Sequence, residues 1–141
     1  MRQATVRDSK FAFQVKKTTM GEHVRRVWGW DEDEQRRLHR RRFAAQAFQV
    51  VVVDGDNAGV LALSYEPDCL RVNQLLVLPE YQGRGVGTAC MERVFEDAAR
   101  RRLPVRLQVL KVNRRATGFY GRFGFGAVAE DDAHIRMERP A

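Results

Sequence analysis

The stretch PEYQGRGVGTA, residues 79–89, constrains the fold more than any other part of the chain. Its alternating glycines, Gly83, Gly85 and Gly87, lie between an apolar run that stops at Pro79 and an amphipathic run. The amphipathic run repeats apolar residues at a helical spacing: Val86, Cys90, Val94 and Ala98. The pattern therefore predicts that a strand is followed by a helix at this point, with flexible glycines at the junction.

The alternating glycines favour an anion site. Without Cβ atoms, successive backbone N–H groups can converge on one point, and a helix N-terminus adds free N–H groups and a positive dipole end. Arg84 adds a mobile cation. The alternative is a turn whose glycines only permit close packing. A dinucleotide fingerprint is excluded because the sixth position from Gly83 is Thr88, and no Gly-Lys-Ser/Thr of a nucleotide P-loop is present.

Hydrophobic periodicity and turn residues on either side of the loop predict helices, an antiparallel meander, a helix, a strand, a helix and a closing hairpin. That order predicts an α/β fold with a mixed sheet. The predicted strands are residues 2–6, 48–53, 60–65, 69–78, 104–112, 125–130 and 134–139. Four helices are predicted: residues 9–29, residues 31–45, a helix from the glycine loop to about residue 102, and residues 114–123. Ser9 is the predicted cap of the first helix.

Length and composition narrow the protein class. A chain of 141 residues is expected to form one domain, residues 1–141. No apolar run approaches the roughly 20 residues that span a bilayer, and MRQATVRDSK lacks an apolar signal region, so we expect a cytoplasmic protein without a membrane partner. Cys69 and Cys90 lack metal-type spacing, so we expect reduced structural thiols and no metal. The net charge of +7 indicates a surface that attracts anions, but it does not identify the anion.

Two segments resemble one enzyme family. The pattern Gln-x-x-Gly-x-Gly, filled by Gln82, Gly85 and Gly87 after Val77-Leu78-Pro79, resembles the acetyl-CoA loop of the GNAT N-acetyltransferase superfamily. The stretch VLKVNRRATGFYGRFGFGAV is similar to the family's second signature through Asn113, Ala116, Tyr120 and Gly124-Phe125. VWGWDEDEQ resembles a helix-linking segment of small bacterial members. The resemblance covers the whole chain order and is most specific over residues 70–126.

The resemblance implies a GNAT fold, in which an antiparallel meander plus a parallel strand form a mixed central sheet flanked by about four helices. It also implies an acetyl-CoA-dependent N-acetyltransferase, in which a primary amine attacks the thioester directly in a ternary complex. The backbone of the strand before the loop would hold the pantetheine arm, the loop would hold the pyrophosphate, and Asn113 would contact the arm or simply cap a helix. The implied acetyl-CoA residues are Leu75, Leu76, Val77, Gln82, Gly83, Arg84, Gly85, Val86, Gly87, Thr88, Asn113 and Tyr120.

Tyr120 matches the family residue that protonates the departing CoA thiolate. A thiol has a pKa of about 8.5 and a phenol of about 10, close enough for proton exchange at modest cost. The alternative is a core aromatic that packs with Phe119, Phe123 and Phe125.

The resemblance assigns the acceptor site to the segment between the first two helices. Aromatic faces and carboxylates there suit an ammonium-bearing acceptor, either a small-molecule amine or a peptide N-terminus. The alternative is that the acidic residues cap a helix and the tryptophans pack in the core. The candidate acceptor residues are Trp28, Trp30, Asp31, Glu32, Glu66 and Asn73.

A general base is not evident from the sequence. Arg71, Asn73 and Gln108 occupy the strand positions where related enzymes often carry a carboxylate, and none accepts a proton near neutral pH. Glu66, Asp31, Glu32 or an ordered water chain could replace it.

Two other functions compete with catalysis. The basic runs RRLHRRR (36–42), Arg25-Arg26 and Arg100-Arg101-Arg102 could bind nucleic acid, but acidic residues alternate with them and no recognised binding module is present. A GNAT domain could also bind acetyl-CoA as a sensor without transferring the acetyl group, and the presence of Tyr120 argues against that. A homodimer is common in the family.

Overall fold

The computed structural model describes all residues, 1–141, and confirms the α/β fold with a mixed sheet. The strands are β1 (Arg2–Gln3), β2 (Ala47–Val53), β3 (Asp56–Tyr65), β4 (Leu70–Val77), β5 (Val105–Leu110), β6 (Gly126–Glu130) and β7 (His134–Arg139). The helices are α1 (Ser9–Trp28), α2 (Glu32–Ala45), α3 (Val86–Arg101) and α4 (Arg114–Gly121). Short 3₁₀ turns occupy Val6–Asp8 and Pro79–Tyr81. None of the helices combines the length and apolar character needed to cross a membrane.

The N-terminal segment differs most from the sequence prediction. The strand predicted over residues 2–6 ends at Gln3, because the chain turns back on the Asp8 carboxylate. That carboxylate accepts from the Thr5 N–H at 2.8 Å and pairs with Arg2 at 2.9 Å. Asp8, rather than Ser9, occupies the position before α1.

The sheet has seven strands in the order β1-β2-β3-β4-β5-β7-β6. All neighbours run antiparallel except β4 and β5, which are joined by α3 and run parallel. That parallel pairing is short: it joins Leu70–Val72 to Val105–Leu107 and then stops, although both strands continue. The backbone edges of β4 and β5 are therefore unpaired towards each other beyond these residues.

A β-bulge lies in β4 where the pairing with β5 ends. Ala62 of β3 pairs with Gln74 and Leu63 pairs with Val72, so Asn73 is the extra residue. A bulge reverses the alternation of side chains between the two faces. As a result Val72 and Leu76, which alternation would put on one face, belong to different hydrophobic cores.

The two cores lie on opposite faces of the sheet. On one face α1 packs on β2, β3 and the far part of β4 through Ala12, Val15, Phe48, Val60, Ala62 and Leu76. On the other face α3 and α4 pack on the centre of the sheet through residues that include Cys90, Met91, Val94, Ala98, Tyr120 and Phe125. Both cysteines are free and buried. Because each face is covered separately, the gap between β4 and β5 connects the two layers.

Candidate functional site

A cleft of about 1340 Å³ opens where β4 and β5 separate. Its walls include residues from both cores, Val72 and Leu107 from the α3 side and Leu76 from the α1 side. Helices α1 and α2 close it on one side, and the start of α4 closes it on another. The cleft is therefore a direct consequence of the short strand pairing.

The glycine loop follows the far end of β4. Gly83 and Gly85 have φ angles of 77° and 78°, in the left-handed region that side chains disfavour, and Gly85 precedes the first residue of α3. None of the backbone N–H groups of residues 83–88 donates to a protein acceptor. The loop thus presents a continuous row of free donors at a helix N-terminus, which is the arrangement that binds phosphate.

Gln82 and Gly87 fix this loop against its surroundings. The Gln82 Nε2 donates to the Val77 carbonyl at 2.8 Å, and its Oε1 accepts from Arg115 at 2.8 Å. A Cβ on Gly87 would approach the Phe119 ring to 3.2 Å, so the first turn of α3 lies directly on α4. Gln82 connects β4 to α4, and Gly87 allows the two helices to approach closely.

Tyr120 lies at the bottom of the cleft, only 8% exposed. Its ring contacts Phe119 and Phe125 edge-on, with centroids 5.1 and 5.5 Å away. Its hydroxyl makes no hydrogen bond with the protein. Burial raises the pKa of the Tyr120 phenol well above its ordinary value, so the hydroxyl keeps its proton. Packing and proton donation are therefore compatible at this position.

Asn113 lines the cleft and caps α4. Its Oδ1 accepts from the Ala116 N–H at 3.2 Å, and its Nδ2 lies 3.8 Å from the Met20 sulfur of α1. Leu75 and Leu76 line the cleft along β4, while Val77 connects to Gln82.

The residues predicted for the acceptor fall into two groups. Trp28, Trp30, Asp31 and Asn73 line the cleft. Trp28 is 59% exposed and stacks on His134, 5.5 Å away, while Asp31 caps α2 by accepting from the Glu34 N–H at 3.1 Å.

Glu32 and Glu66 lie outside the cleft lining and are held by ion pairs. Glu32 accepts from the Trp30 indole at 2.8 Å, which lowers the pKa of its carboxyl, and it also pairs with Lys17 and Arg36. Glu66 pairs with Arg71 at 2.6 Å. Asn73 donates to the Ser64 hydroxyl at 2.7 Å.

The structure adds a group of cleft residues that sequence reasoning missed. Gln35, Leu38, Arg42 and Gln46 follow one another at intervals of three or four residues and line the cleft from α2, opposite Lys16 of α1. The spacing of Leu38 and these polar residues on one helix face was the signal that could have identified them. The arginines around them indicate instead a helix face that is exposed to solvent.

Lys16 is a cleft cation whose proton affinity is lowered. Burial, and secondarily the nearby Arg42 guanidinium, lower the pKa of the Lys16 ammonium to about 8. Burial also lowers the pKa of Arg42. Neither residue has a carboxylate partner, so this part of the cleft holds unneutralised positive charge.

Comparisons with known proteins agree with this geometry. The model of the acetyltransferase (GNAT) family matches residues 13–125 of the chain. No curated protein sequence matches it.

Solved structures share the whole fold at low sequence identity. The PaiA N-acetyltransferase of Thermoplasma acidophilum, solved in complex with coenzyme A, matches with a TM-score of 0.81 and 16% identity, over 99% of this chain and 97% of its own. The ribosomal-protein-S18-alanine N-acetyltransferase of Escherichia coli matches at 0.75 and 17%, over 98% and 90%. A GNAT family acetyltransferase of Elizabethkingia anophelis with acetyl-CoA bound matches at 0.65 and 10%, over 74% and 82%.

The charge on Lys16 is expected to reduce stability near neutral pH. A lysine whose folded pKa is about 8, against 10.5 ordinarily, is harder to protonate in the folded state. The wild type should therefore gain stability relative to Lys16→Met as pH rises from about 8 to about 10.5, where the unfolded chain binds more protons. At pH 7 Lys16→Met should melt at a higher temperature than the wild type.

Thermal melts from pH 6 to pH 10.5 measure this difference, with Lys10→Met on the exposed face of α1 as the matched control. A Lys16→Met protein that is less stable than the wild type at pH 7, or a difference that does not change with pH, would contradict the unneutralised charge.

Proposed function

The chain belongs to the acetyltransferase (GNAT) family, and on that premise we propose that it transfers an acetyl group from acetyl-CoA to a primary amine. The observation that carries the proposal is the row of free N–H groups at residues 83–88, which follows β4, together with the cleft that β4 and Tyr120 both line. A loop used only for packing has no need for so many unpaired donors at one helix N-terminus.

The residues of this site fit acetyl-CoA. The N–H groups of Gly83 to Thr88 match a diphosphate, which needs several donors and a positive dipole end. The edge of β4 at Leu75–Val77, which β5 leaves unpaired, matches an arm that hydrogen-bonds like a neighbouring strand. Asn113, beside the start of α4, is the further contact in this proposal.

Acetyl-CoA supplies an activated acetyl thioester. The unprotonated amine nitrogen forms a bond to the acyl carbon as the carbon–sulfur bond breaks, and backbone N–H groups polarise the carbonyl. Tyr120 donates its proton to the sulfur and regains one from solvent, which takes up the proton that the amine loses. Tyr120 enters the reaction protonated, although the burial that raises its pKa also makes it a weaker acid than an exposed phenol.

The acceptor in this proposal enters from the side that Trp28, Trp30 and Asp31 border. A small-molecule amine and a peptide N-terminus both remain candidate acceptors, and the ribosomal-protein-S18-alanine enzyme of Escherichia coli exemplifies the second kind within the same fold. Asp31 and Glu34 are the carboxylates that line the cleft.

The cytoplasmic location, the single domain and the homodimer stay predictions.

Ion pairing reduces the support for nucleic-acid binding. Some arginines of each basic run are held by carboxylates: Arg25 by Glu22, Arg36 by Glu32, and Arg100 and Arg101 by Asp97. An arginine engaged in this way offers less to a phosphate backbone. Catalysis is the better-supported function.

Gly85→Val is expected to abolish the rise in melting temperature that CoA and acetyl-CoA produce by binding the folded state. A Cβ at Gly85 meets no protein atom within 4 Å, so the effect comes from the left-handed φ of 78°, which a β-branched residue resists. Gly55→Val is the matched control, since Gly55 has a φ of 83° in the remote β2–β3 turn. A folded Gly85→Val protein with an unchanged CoA shift would refute the loop assignment.

Tyr120→Phe is expected to lower kcat by roughly 10²–10⁴-fold, the usual contribution of a positioned acid. CoA affinity should be unchanged and stability should stay within about 1 kcal/mol, because the ring remains and the lost hydroxyl has no protein partner. Steady-state release of free CoA thiol measures the rate, with Tyr65→Phe as control. Unaltered turnover would make Tyr120 a packing residue and would refute its role as the acid.

A further inference from the structure

The cations of the cleft are not equally neutralised. Arg71 pairs with Glu66, and Arg106 pairs with Glu138 at 2.7 Å and with Asp68 at 3.0 Å. The half-buried cations Lys16 and Arg42 pair with no carboxylate, and Arg42 lies near enough to Lys16 to lower the pKa of its ammonium. Two like charges held together out of water are unfavourable unless an anion joins them.

Unpaired polar atoms line the same cleft as these two cations. The Gln35 and Gln46 Oε1 atoms are buried without a hydrogen-bond partner, and both side chains line the cleft with Arg42, Gln35 from α2 and Gln46 from the residue that follows the helix. Since an amide rotates to exchange its oxygen and NH₂ group, each glutamine can present donors to a bound anion. The group therefore offers charge and hydrogen bonds of the kind that an oxyanion accepts.

This group lies away from the loop that is proposed to hold the diphosphate. Phe43, the neighbour of Arg42, stacks on Phe48 with ring centroids 4.9 Å apart. Phe48 lies opposite Ala62, and Ala62 lies opposite Gln74, next to the bulge. The strand continues for about 10 Å from Gln74 to Val77 before the loop begins, and residues 83–88 are not among the residues that line the cleft with Arg42.

The cleft carboxylates lie too far away to neutralise Arg42 directly. Asp31 and Glu34 are at the start of α2, eleven and eight residues before Arg42, which corresponds to about 16 Å and about 12 Å along a helix. The cleft is thus acidic at one end of α2 and basic at the other.

We propose that the acceptor amine carries an oxyanion, a carboxylate or a phosphate, that binds between Lys16 and Arg42 and is hydrogen-bonded by the Gln35 and Gln46 amides. The proposal rests on the acetyl transfer proposed above and specifies the acceptor for it. An acceptor with positive charge alone is disfavoured at this position, because it would meet two unneutralised cations.

Matched amines test the proposal by kinetics. The pairs are lysine with cadaverine, which lacks the carboxylate, and phosphoethanolamine with ethanolamine, which lacks the phosphate. We expect kcat/KM to be at least about tenfold higher for the anionic member of one pair, the effect of one charge-assisted hydrogen bond, and the pair that responds identifies the anion.

Variants test whether Lys16 and Arg42 cause the preference for the anionic amine. Lys16→Met and Arg42→Gln should each reduce the preference at least about tenfold, mainly by raising KM for the anionic amine. Arg41→Gln and Lys10→Met, on exposed residues, are the matched controls and should keep it. Equal rates within both pairs, a preference for the uncharged-tail member, or a preference unchanged in Lys16→Met and Arg42→Gln would overturn the proposal.

A binding measurement separates the anion site from catalysis. Glutarate and glycerol 3-phosphate carry the anions but lack an amine. At least one of them should raise the melting temperature of the CoA-saturated wild-type protein. Neither should raise the melting temperature of CoA-saturated Lys16→Met or Arg42→Gln. If this occurs while no amine is acetylated, acetyl transfer fails and the anion site stands. If neither acid shifts the wild type while amines are acetylated, the anion site fails and the transferase stands.

Discussion

The short parallel pairing of β4 with β5 is the constraint on which the rest of the structure depends. The strands share hydrogen bonds from Leu70 to Val72 and then separate, and the bulge at Asn73 coincides with the end of the pairing. Because each strand remains anchored by an antiparallel neighbour on its other side, the sheet tolerates the gap. The gap supplies a cleft, an unpaired strand edge and access to Tyr120, while β4 delivers the glycine loop to its open end.

The sequence predicted the parts of this site that depend on local chemistry. Alternating glycines at Gly83 and Gly85 indicate a special backbone, and both have the left-handed φ angles that only glycine adopts easily. The bulge at Asn73 was not predicted, although the apolar–polar alternation of LRVNQLLVL breaks at the adjacent polar residues Asn73 and Gln74, because the apolar run that follows reads as one continuous buried strand. Lys16 and Arg42 were missed because their environment arises from the packing of α1 against α2, which residue spacing does not contain.

The charges of the cleft follow a pattern that stability alone does not explain. Arg71 and Arg106 are neutralised, as buried or half-buried charges in stable proteins usually are, and Lys16 is not. Functional sites commonly retain such unfavourable features because binding requires them. The same logic applies to the free N–H groups of residues 83–88, which follow β4, and to the unpartnered hydroxyl of Tyr120, which lines the cleft.

Amide hydrogen exchange resolved by residue, with and without saturating CoA, tests the central claim most directly. The N–H groups of residues 83–88 lack protein acceptors, so they should exchange quickly in the free protein and become strongly protected when CoA binds. Amides of the β2–β3 turn at residues 54–56 should not change. Exchange in residues 83–88 that stays the same under saturating CoA would contradict the account, because the row of donors would then have no role in binding it.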